Sequence, residues 1–196
     1  MKRTCFKKIL IISIVSILLL AGILFLIVYH QMHRTIHLSF DIFQSNEEFQ
    51  YKDIEWGASV EEVNEKFPFS FKQNTARIPA PENYLFYDIT NLFVLDGMKG
   101  TSVCEFYNGE FQLIEFYFYF DKDSEEYMPW FEKQVADLKA LYGPEDKRGG
   151  VKSDESDWNS DVYVWKTNNT QLQFSIMYGE NTRTMVFFAV GRIVQQ

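Results

Sequence analysis

The longest run of hydrophobic residues lies near the start of the chain and covers residues 9–29. It contains no charged residue, and its two serines are Ser13 and Ser16. A helix rises about 1.5 Å per residue, so a run of this length crosses the roughly 30 Å hydrocarbon core of a bilayer. We therefore predict a transmembrane helix over residues 9–29.

The flanks of this run indicate how it would sit in a membrane. A basic tail, residues 1–8, precedes it with four cations: Lys2, Arg3, Lys7 and Lys8. Such a tail stays on the cytoplasmic side, which places the rest of the chain outside. A cleaved secretory signal is the alternative, but its apolar run is about 7–15 residues long and ends at small residues. The small pair Ala21-Gly22 lies in mid-run, which favours an uncleaved signal anchor.

A shorter alternating pattern follows the predicted anchor. Leu38, Phe40 and Ile42 alternate with polar residues, which is typical of a half-buried strand. We interpret residues 30–52 as a juxtamembrane stalk, part of which pairs as a strand. The remaining residues, 53–196, are predicted to form an extracytoplasmic domain that is long enough for a core of its own.

A capping-box spacing marks the first helix of this domain. Ser59 and Glu62 stand three positions apart, so each side chain can satisfy a free backbone N–H group at the helix start. Pro68 cannot extend a helix, which limits this first helix to residues 60–67.

A helical stripe of large apolar residues predicts the second helix. Asp123 and Ser124 are its predicted N-caps, and Gly143-Pro144 is its predicted stop. Gln134 is the one polar member of the stripe, which consists of Tyr127, Trp130, Phe131, Gln134, Val135, Leu138, Leu141 and Tyr142.

Runs rich in aromatic and β-branched residues predict antiparallel strands on either side of the second helix. Asn108-Gly109 is the pair typical of a type I′ hairpin turn. The first group of strands covers residues 84–95, 101–107 and 110–120, and the second covers residues 162–167, 170–178 and 185–193. Polar loops are predicted over residues 72–83, with Pro79 and Pro81, and over residues 145–160.

The predicted order of elements indicates the fold class. We expect an α+β fold in which an N-terminal transmembrane helix is followed by a helix plus an antiparallel β-meander, arranged twice, with candidate halves at residues 53–120 and 121–196. The helix opening Gly57-Ala58-Ser59-Val60-Glu61-Glu62-Val63 resembles that of extracytoplasmic modules of the BamE/SmpA and β-lactamase-inhibitor-protein group. The resemblance implies a protein-binding role without catalysis. The chain departs from the BamE pattern at Ile23, which stands where the lipoprotein box has its cysteine.

Charge is divided unevenly along the chain, which has 19 basic and 27 acidic residues and a net charge of −8. Five basic residues lie in the anchor region: Lys2, Arg3, Lys7, Lys8 and Arg34. The outer part therefore has 14 basic against 27 acidic residues, a net charge of −13. Such a domain repels nucleic acid, so we expect no nucleic-acid partner. Cys5 and Cys104 lie on opposite sides of the predicted membrane and cannot pair within one chain.

Histidines are confined to the membrane-proximal part of the chain. If the anchor helix continued past Tyr29, then His30, His33 and His37 would share one helical face and could bind Zn²⁺ or Cu²⁺. A polar collar at the membrane surface is the favoured interpretation. From Ile54 onward there is no histidine, which excludes Ser–His–Asp and Cys–His mechanisms within the domain unless the stalk folds back.

Carboxylates are plentiful, but their patterns have simpler explanations. Four of them have the spacing of an EF-hand loop: Asp121, Asp123, Glu125 and Glu132. Glu126 occupies the place where that loop needs glycine, so capping of the second helix explains them better. A second acidic group is interpreted as part of a solvated loop: Asp154, Glu155, Asp157 and Asp161. Cys104 is interpreted as a buried small hydrophobe. We expect no cofactor and no metal ion.

The predicted hairpin of residues 101–120 carries the candidate binding site. Its apolar residues change phase midway, and a β-bulge near Ile114-Glu115 would bring them onto one face. Tyr107, Tyr117 and Tyr119 would then lie on the other face. Because tyrosine is enriched in interfaces, we expect these three to bind a protein or peptide. The alternative is that a helix or the second meander covers them as core.

These observations favour an anchored binding protein over an enzyme. We expect a single-pass protein of a bacterial cell membrane, with a cytoplasmic N-terminus and an extracytoplasmic domain that binds or senses a protein partner in the envelope. One alternative is a carboxylate-dependent hydrolase acting on a cell-envelope polymer, which needs two carboxyl groups about 5–10 Å apart in a cleft. Another is a structural subunit of a membrane complex.

Overall fold

The computed structural model describes residues 2–45, 47–68, 70–76, 82–121, 124–150, 158–179 and 182–193. Its helices are α1 (Lys2–Met32), α2 (Val60–Lys66) and α3 (Tyr127–Tyr142), with a 3₁₀ turn at Phe40–Phe43. The strands are β1 (Thr35–Leu38), β2 (Gln44–Ser45), β3 (Glu48–Phe49), β4 (Phe71–Gln73), β5 (Tyr84–Leu95), β6 (Met98–Tyr107), β7 (Glu110–Tyr119), β8 (Lys147–Gly149), β9 (Asn159–Lys166), β10 (Thr170–Gly179) and β11 (Thr182–Arg192). Six residues named above lie outside the described ranges: Pro79, Pro81, Asp123, Asp154, Glu155 and Asp157.

The apolar run near the start of the chain is helical. Within α1, the segment Ser13–Met32 has 20 residues, a mean hydropathy of 2.4 and no part buried inside the protein. This segment is long and apolar enough to span a bilayer, and a signal sequence has the same properties. The predicted N-terminal apolar helix is therefore present, and it is compatible with a membrane anchor or a signal sequence.

Nine of the described strands form one sheet, in the order β1-β5-β6-β7-β11-β10-β9-β8, with β4 paired to the N-terminal half of β5. β1 and β5 run parallel, and the other neighbouring strands of this sheet run antiparallel. The two meanders meet where β7 pairs with β11, which places Phe116 opposite Phe188. The expected α+β class with a large, mostly antiparallel sheet is confirmed, and both meanders belong to that one sheet.

One face of the sheet carries the hydrophobic core. Alternate residues of its central strands are fully buried there, among them Phe116, Phe174 and Phe188. The Phe131 ring of α3 stacks on the Phe174 ring with the centroids 4.9 Å apart. α2 contributes Val63 to the same cluster. Both helices of the domain therefore lie on the same side of the sheet.

Residues 35–45 and 47–52 pack with the folded domain instead of forming a separate stalk. β1 pairs with β5, so part of the segment is a strand, but the strand lies before the predicted alternation: of its three apolar residues only Leu38 is in β1, and Phe40 and Ile42 lie in the 3₁₀ turn. Four large side chains of the segment are 5% exposed or less: Phe40, Phe43, Phe49 and Tyr51. They come from a 3₁₀ turn, the short β2–β3 hairpin and the residues after it. Phe40 belongs to the alternating pattern, whereas Phe43, Phe49 and Tyr51 follow no common helix or strand period, so the sequence pattern does not mark these three as core.

Glu48 joins this segment to the turn between β9 and β10. Its carboxylate accepts hydrogen bonds from the hydroxyl groups of Thr167 and Thr170 and from the side-chain amide of Asn169. The backbone N–H of Phe49 donates to the Thr170 hydroxyl over 2.8 Å. These bonds to the ionised carboxylate, with that from Thr167 the strongest influence, hold the pKa of Glu48 below its ordinary value of 4.5.

The substitution Glu48→Gln is expected to lower stability near neutral pH and to matter less in acid. A carboxyl group with a lowered folded pKa contributes stability above its ordinary pKa, and this contribution is lost as the pH falls through the folded value. Unfolding free energies of wild type and variant should differ at about pH 6 and converge toward about pH 3. Glu47→Gln, at the exposed neighbouring residue, is the control. A wild-type advantage over Glu48→Gln that stays constant with pH would contradict this account.

The helix ends agree with most of the local signals. At α2 the Glu62 N–H donates to Ser59 Oγ (3.2 Å) and the Ser59 N–H donates to Glu62 Oε2 (2.7 Å), so the predicted capping box is confirmed. α3 ends at Gly143 with φ of 82°, as predicted. It begins after Glu126, so the prediction of Ser124 as N-cap is wrong. The Ser124 hydroxyl instead accepts from the Glu126 N–H within the preceding turn.

Gln134 is buried in the apolar stripe of α3 because a carboxylate that is distant in sequence accepts a hydrogen bond from its side-chain amide. Its side chain is 1% exposed, and its amide donates to Asp96 Oδ2 over 2.9 Å. Lys133 also binds Asp96 Oδ2, at 2.9 Å, and holds the pKa of that carboxyl group below its ordinary range. The polar interruption of the stripe is thus a link between α3 and the β5–β6 turn.

The β-bulge of the β6–β7 hairpin lies closer to the turn than predicted. The register of the pair shifts so that Gln112 is the extra residue, and the predicted bulge near Ile114-Glu115 is wrong in position. Leu113 consequently turns away from the core. On β11, a Cβ atom at Gly191 would lie only 2.5 Å from Leu113 Cδ1. Glycine at that position leaves the space that the displaced leucine occupies.

Candidate binding face

The sheet face opposite the core carries two of the candidate tyrosines in its centre. Residues alternate along β7, so Tyr117 and Tyr119 project away from Phe116 and Phe118, which are fully buried in the core. The buried apolar residues of α2 and α3 all belong to the core cluster. None of the described helices therefore covers the tyrosines, and the second meander extends the sheet sideways instead of packing over them.

Strand pairing surrounds the two tyrosines with further large side chains. Tyr117 pairs with Phe187 and Tyr119 with Met185, and Met185 pairs in turn with Met177 of β10. Tyr119 is 44% exposed, and the other four are half-buried. We call these five residues the aromatic patch.

Contacts around the aromatic patch hold its rings in place. The rings of Tyr117 and Phe187 have centroids 6.3 Å apart, and the Tyr117 hydroxyl donates to the Glu115 carboxylate. The Arg183 guanidinium lies 5.7 Å from the centre of the Tyr119 ring, which is a cation–π distance. The patch thus presents oriented aromatic surface with a carboxylate and a cation at its margins.

Tyr107 shares this face but lies apart from the aromatic patch. Tyr117 pairs with Thr101, and Tyr107 stands six residues farther along β6, about 20 Å away at the strand rise. Its ring instead contacts that of Tyr84, with the centroids 4.9 Å apart. The structure therefore brings Tyr117 and Tyr119 together and leaves Tyr107 at the hairpin end of the sheet.

Three members of the patch were missed by sequence reasoning: Met177, Met185 and Phe187. A signal for two of them is present in β11, where residues 185–190 are apolar at every position. A strand with one face in water alternates apolar and polar residues, whereas an unbroken apolar run indicates contacts on both faces. That run marks β11 as a strand with a second apolar surface to cover.

The histidines are not arranged as the metal hypothesis requires. His30 lies on α1 and His33 just beyond its end, where the His33 ring contacts Tyr29 with centroids 4.4 Å apart. His37 lies on β1, because the chain becomes extended there and pairs with β5. The three therefore share no helical face. Within the described residues, no group of three His, Cys, Asp or Glu side chains is placed to hold a metal ion.

Cys104 is enclosed in the core, as predicted. Its side chain is 0% exposed, and burial raises the pKa of the thiol well above its ordinary value. A thiol in this state is a poor nucleophile because the thiolate is the reactive form.

None of the described carboxyl groups with a clear pKa shift is shifted in the direction that a general acid needs. A general acid needs a pKa raised toward neutrality. Every described carboxyl group with a clear shift has its pKa lowered instead, because hydrogen bonds favour its ionised form: Glu48, Asp53, Glu62, Asp96 and Glu145. A pocket of about 620 Å³ does gather Glu47, Glu48 and Asp146, but the Glu48 carboxylate is already engaged by Thr167 and Thr170.

Comparisons with protein-family models, with curated proteins and with solved structures find no match to this chain. The resemblance of residues 57–63 to the BamE/SmpA group therefore stays an expectation from sequence. A functional assignment rests on α1 and on the aromatic patch.

Proposed function

We propose that this chain is a single-pass membrane protein whose extracytoplasmic domain binds a protein partner through the aromatic patch. The observation that carries the proposal is the patch itself, five large side chains on the sheet face that none of the described helices covers. Tyr, Phe and Met are enriched in protein interfaces. A cluster of such residues on the surface of a domain is typical of an interaction site.

The anchoring part of the proposal is supported by α1 and its flanks. Its apolar segment is long enough to span a bilayer, and the basic residues before it favour a cytoplasmic N-terminus. In that orientation the domain with its aromatic patch lies outside the cytoplasm, so its partner would be a protein of the cell envelope. The order α2, meander, α3, meander further supports the proposal that residues 53–120 and 121–196 repeat one architecture.

The chemistry of the patch indicates what the partner presents. Oriented Tyr and Phe rings act as anchors that fill apolar pockets, and they lose little conformational entropy on binding. Arg183 and Glu115 lie at the margins, where charges influence orientation more than affinity. The partner surface is therefore apolar at its centre, with charged groups at its rim.

Photo-crosslinking of the full-length chain in its native membrane tests this proposal. A photoreactive phenylalanine derivative is placed at Tyr119, which is 44% exposed, or at Leu141 on α3, which is 51% exposed and serves as the matched control. We expect a crosslinked protein adduct from position 119 and none from position 141. Equal adducts from both positions would overturn the proposal.

Truncation of a neighbouring ring tests whether the patch contributes binding energy. Tyr117→Ala is expected to lower the adduct yield from position 119 by about tenfold, since loss of a central aromatic anchor costs more than about 1 kcal/mol of binding. Tyr107→Ala, about 20 Å away along β6, should leave the yield unchanged. Equal effects of Tyr117→Ala and Tyr107→Ala would count against the patch as the binding site.

A further inference from the structure

The C-terminal end of α1 is held against the domain by side-chain hydrogen bonds. The Asn91 amide donates to the backbone carbonyls of Gln31 (3.0 Å) and Arg34 (3.1 Å). The Ser70 hydroxyl also donates to the Gln31 carbonyl, over 3.4 Å. Asn91 is 6% exposed, so these contacts are part of the folded domain. The corner of the domain around Gln31 therefore lies next to the membrane surface from which α1 would emerge.

Two exposed cations, Arg34 and Lys52, lie at this corner. The Lys52 ammonium lies 5.0 Å from the centre of the Tyr51 ring. Among the described residues, neither Arg34 nor Lys52 has a carboxylate within ion-pair distance, and the neighbouring Asp53 binds Lys66 at 2.5 Å.

Lys52 is tied to this corner by geometry. Its ammonium lies 5.7 Å from the centre of the Phe67 ring, and the Phe67 carbonyl accepts a hydrogen bond from the N–H of Ser70, whose hydroxyl bonds Gln31. Burial, and after it the positive charge of Arg34, lower the pKa of Lys52, while the neighbouring Asp53 carboxylate acts in the opposite direction. The Arg34 charge also acts on the phenol of Tyr51, against which Lys52 packs. Neighbouring like charges repel, and an anion between them would remove that repulsion.

The position of these cations matches the headgroup layer of a bilayer. Gln31 lies two residues beyond Tyr29, the last residue of the apolar run, which is about 3 Å along the helix axis. The headgroup layer adds about 5–8 Å on each side of the hydrocarbon core. Met32 (40% exposed) and Leu92 (37% exposed) lie at the same corner, where they suit contact with the acyl-chain boundary.

We propose that Arg34 and Lys52 together bind the phosphate of an anionic phospholipid headgroup in the leaflet that α1 leaves. This proposal rests on the membrane anchoring proposed above but does not involve the aromatic patch. A lipid is favoured over free phosphate because exposed apolar side chains adjoin the two cations, and because α1 brings the site to the headgroup layer. The contact would also fix the orientation of the acidic domain relative to the bilayer.

Native mass spectrometry of the full-length chain in neutral detergent micelles tests this site. The chain is titrated with phosphatidylglycerol, with phosphatidylcholine or with inorganic phosphate. We expect about tenfold tighter binding of phosphatidylglycerol than of phosphatidylcholine, as electrostatic attraction of about two basic residues implies. Equal binding of the two lipids would overturn the proposal, as would displacement of phosphatidylglycerol by millimolar inorganic phosphate.

Charge-matched variants assign the binding to the two residues. Arg34→Gln with Lys52→Gln is expected to lower phosphatidylglycerol affinity by about tenfold to thirtyfold. Lys147→Gln with Lys166→Gln removes the same charge from β8 and β9 and should change it by less than about twofold. Equal losses of phosphatidylglycerol affinity in both double variants would show that only the net charge of the chain matters, and would reject the site. Arg34→Gln alone keeps the Lys52 packing on Tyr51 and should still lower affinity about fivefold.

The outcomes also separate this proposal from the proposed function. Loss of the lipid preference with normal crosslinking from position 119 would reject the lipid site alone. Normal lipid binding without crosslinking from position 119 would reject the protein-binding patch alone. A chain that cannot be inserted into micelles or bilayers would reject the anchor on which both depend.

Discussion

Replacing Phe43 with alanine is expected to lower the free energy of unfolding by about 3–5 kcal/mol. The Phe43 side chain is 0% exposed. Its ring lies 4.6 Å from that of Phe188, 5.4 Å from that of Tyr51 and 5.6 Å from that of Phe116, between centroids. Removing it loses the burial of a large apolar group and leaves a cavity between residues of three separate strands and loops.

Urea unfolding of the full-length chain in micelles, followed by tryptophan fluorescence, measures this loss. All four tryptophans lie beyond residue 52, so the signal reports on the domain. Leu141→Ala, at a side chain that is 51% exposed, is the control and should change stability by less than about 0.5 kcal/mol. A loss below about 1 kcal/mol for Phe43→Ala would mean that residues 30–52 form a detachable stalk after all.

Gly100→Ala is expected to destabilise the domain by about 1–3 kcal/mol, although it adds a single methyl group. A Cβ atom at Gly100 would lie 2.7 Å from the backbone oxygen of Tyr117 and 2.8 Å from two ring atoms of Phe118. Phe118 is fully buried and its ring contacts that of Trp130, so it cannot move aside cheaply. The added methyl group therefore forces β6 and β7 apart in the centre of the sheet.

Gly149→Ala is the matched control for this substitution. Gly149 also lies in a strand, β8, but nothing lies within 4 Å of a Cβ atom built there. Its replacement should be neutral or slightly stabilising, because alanine loses less conformational entropy on folding than glycine. Both variants are compared by the same unfolding measurement. Equal changes in unfolding free energy at the two positions would show that the conformational entropy of glycine, and not a steric clash, determines the effect of the substitution.

Local sequence signals predicted the elements whose decisive contacts are close in sequence. The Ser59–Glu62 capping box forms within four residues, and Asn108-Gly109 adopts the positive φ angles of a type I′ turn, 52° and 81°. The strand period likewise places Tyr163 and Trp165 on one face, the core face, with Val164 and Lys166 on the other. Each of these depends on backbone geometry or strand period, which a short stretch of sequence specifies on its own.

Errors arose where a local signal allowed two arrangements or where a distant contact decided the position. Ser124 is a good N-cap by type, but α3 starts after Glu126. The bulge of β7 falls at Gln112, where Gly191 on the neighbouring strand leaves room for Leu113. No pattern within the hairpin indicates that glycine, because β7 and β11 are separated in sequence by α3 and the strands β8, β9 and β10.

The amino-acid sequence was sufficient for the apolar N-terminal helix, the α+β class, the hairpin turns and the inward face of most strands, because these follow from composition and local period. Tertiary pairing determined that residues 35–45 and 47–52 complete the core, where Phe49 meets Thr170 across 121 residues of chain. It also determined that Phe187 and Met185 join Tyr117 and Tyr119 in one patch. Contacts of this kind gain their energy from surfaces that meet only after folding, so no local period in the chain reveals them.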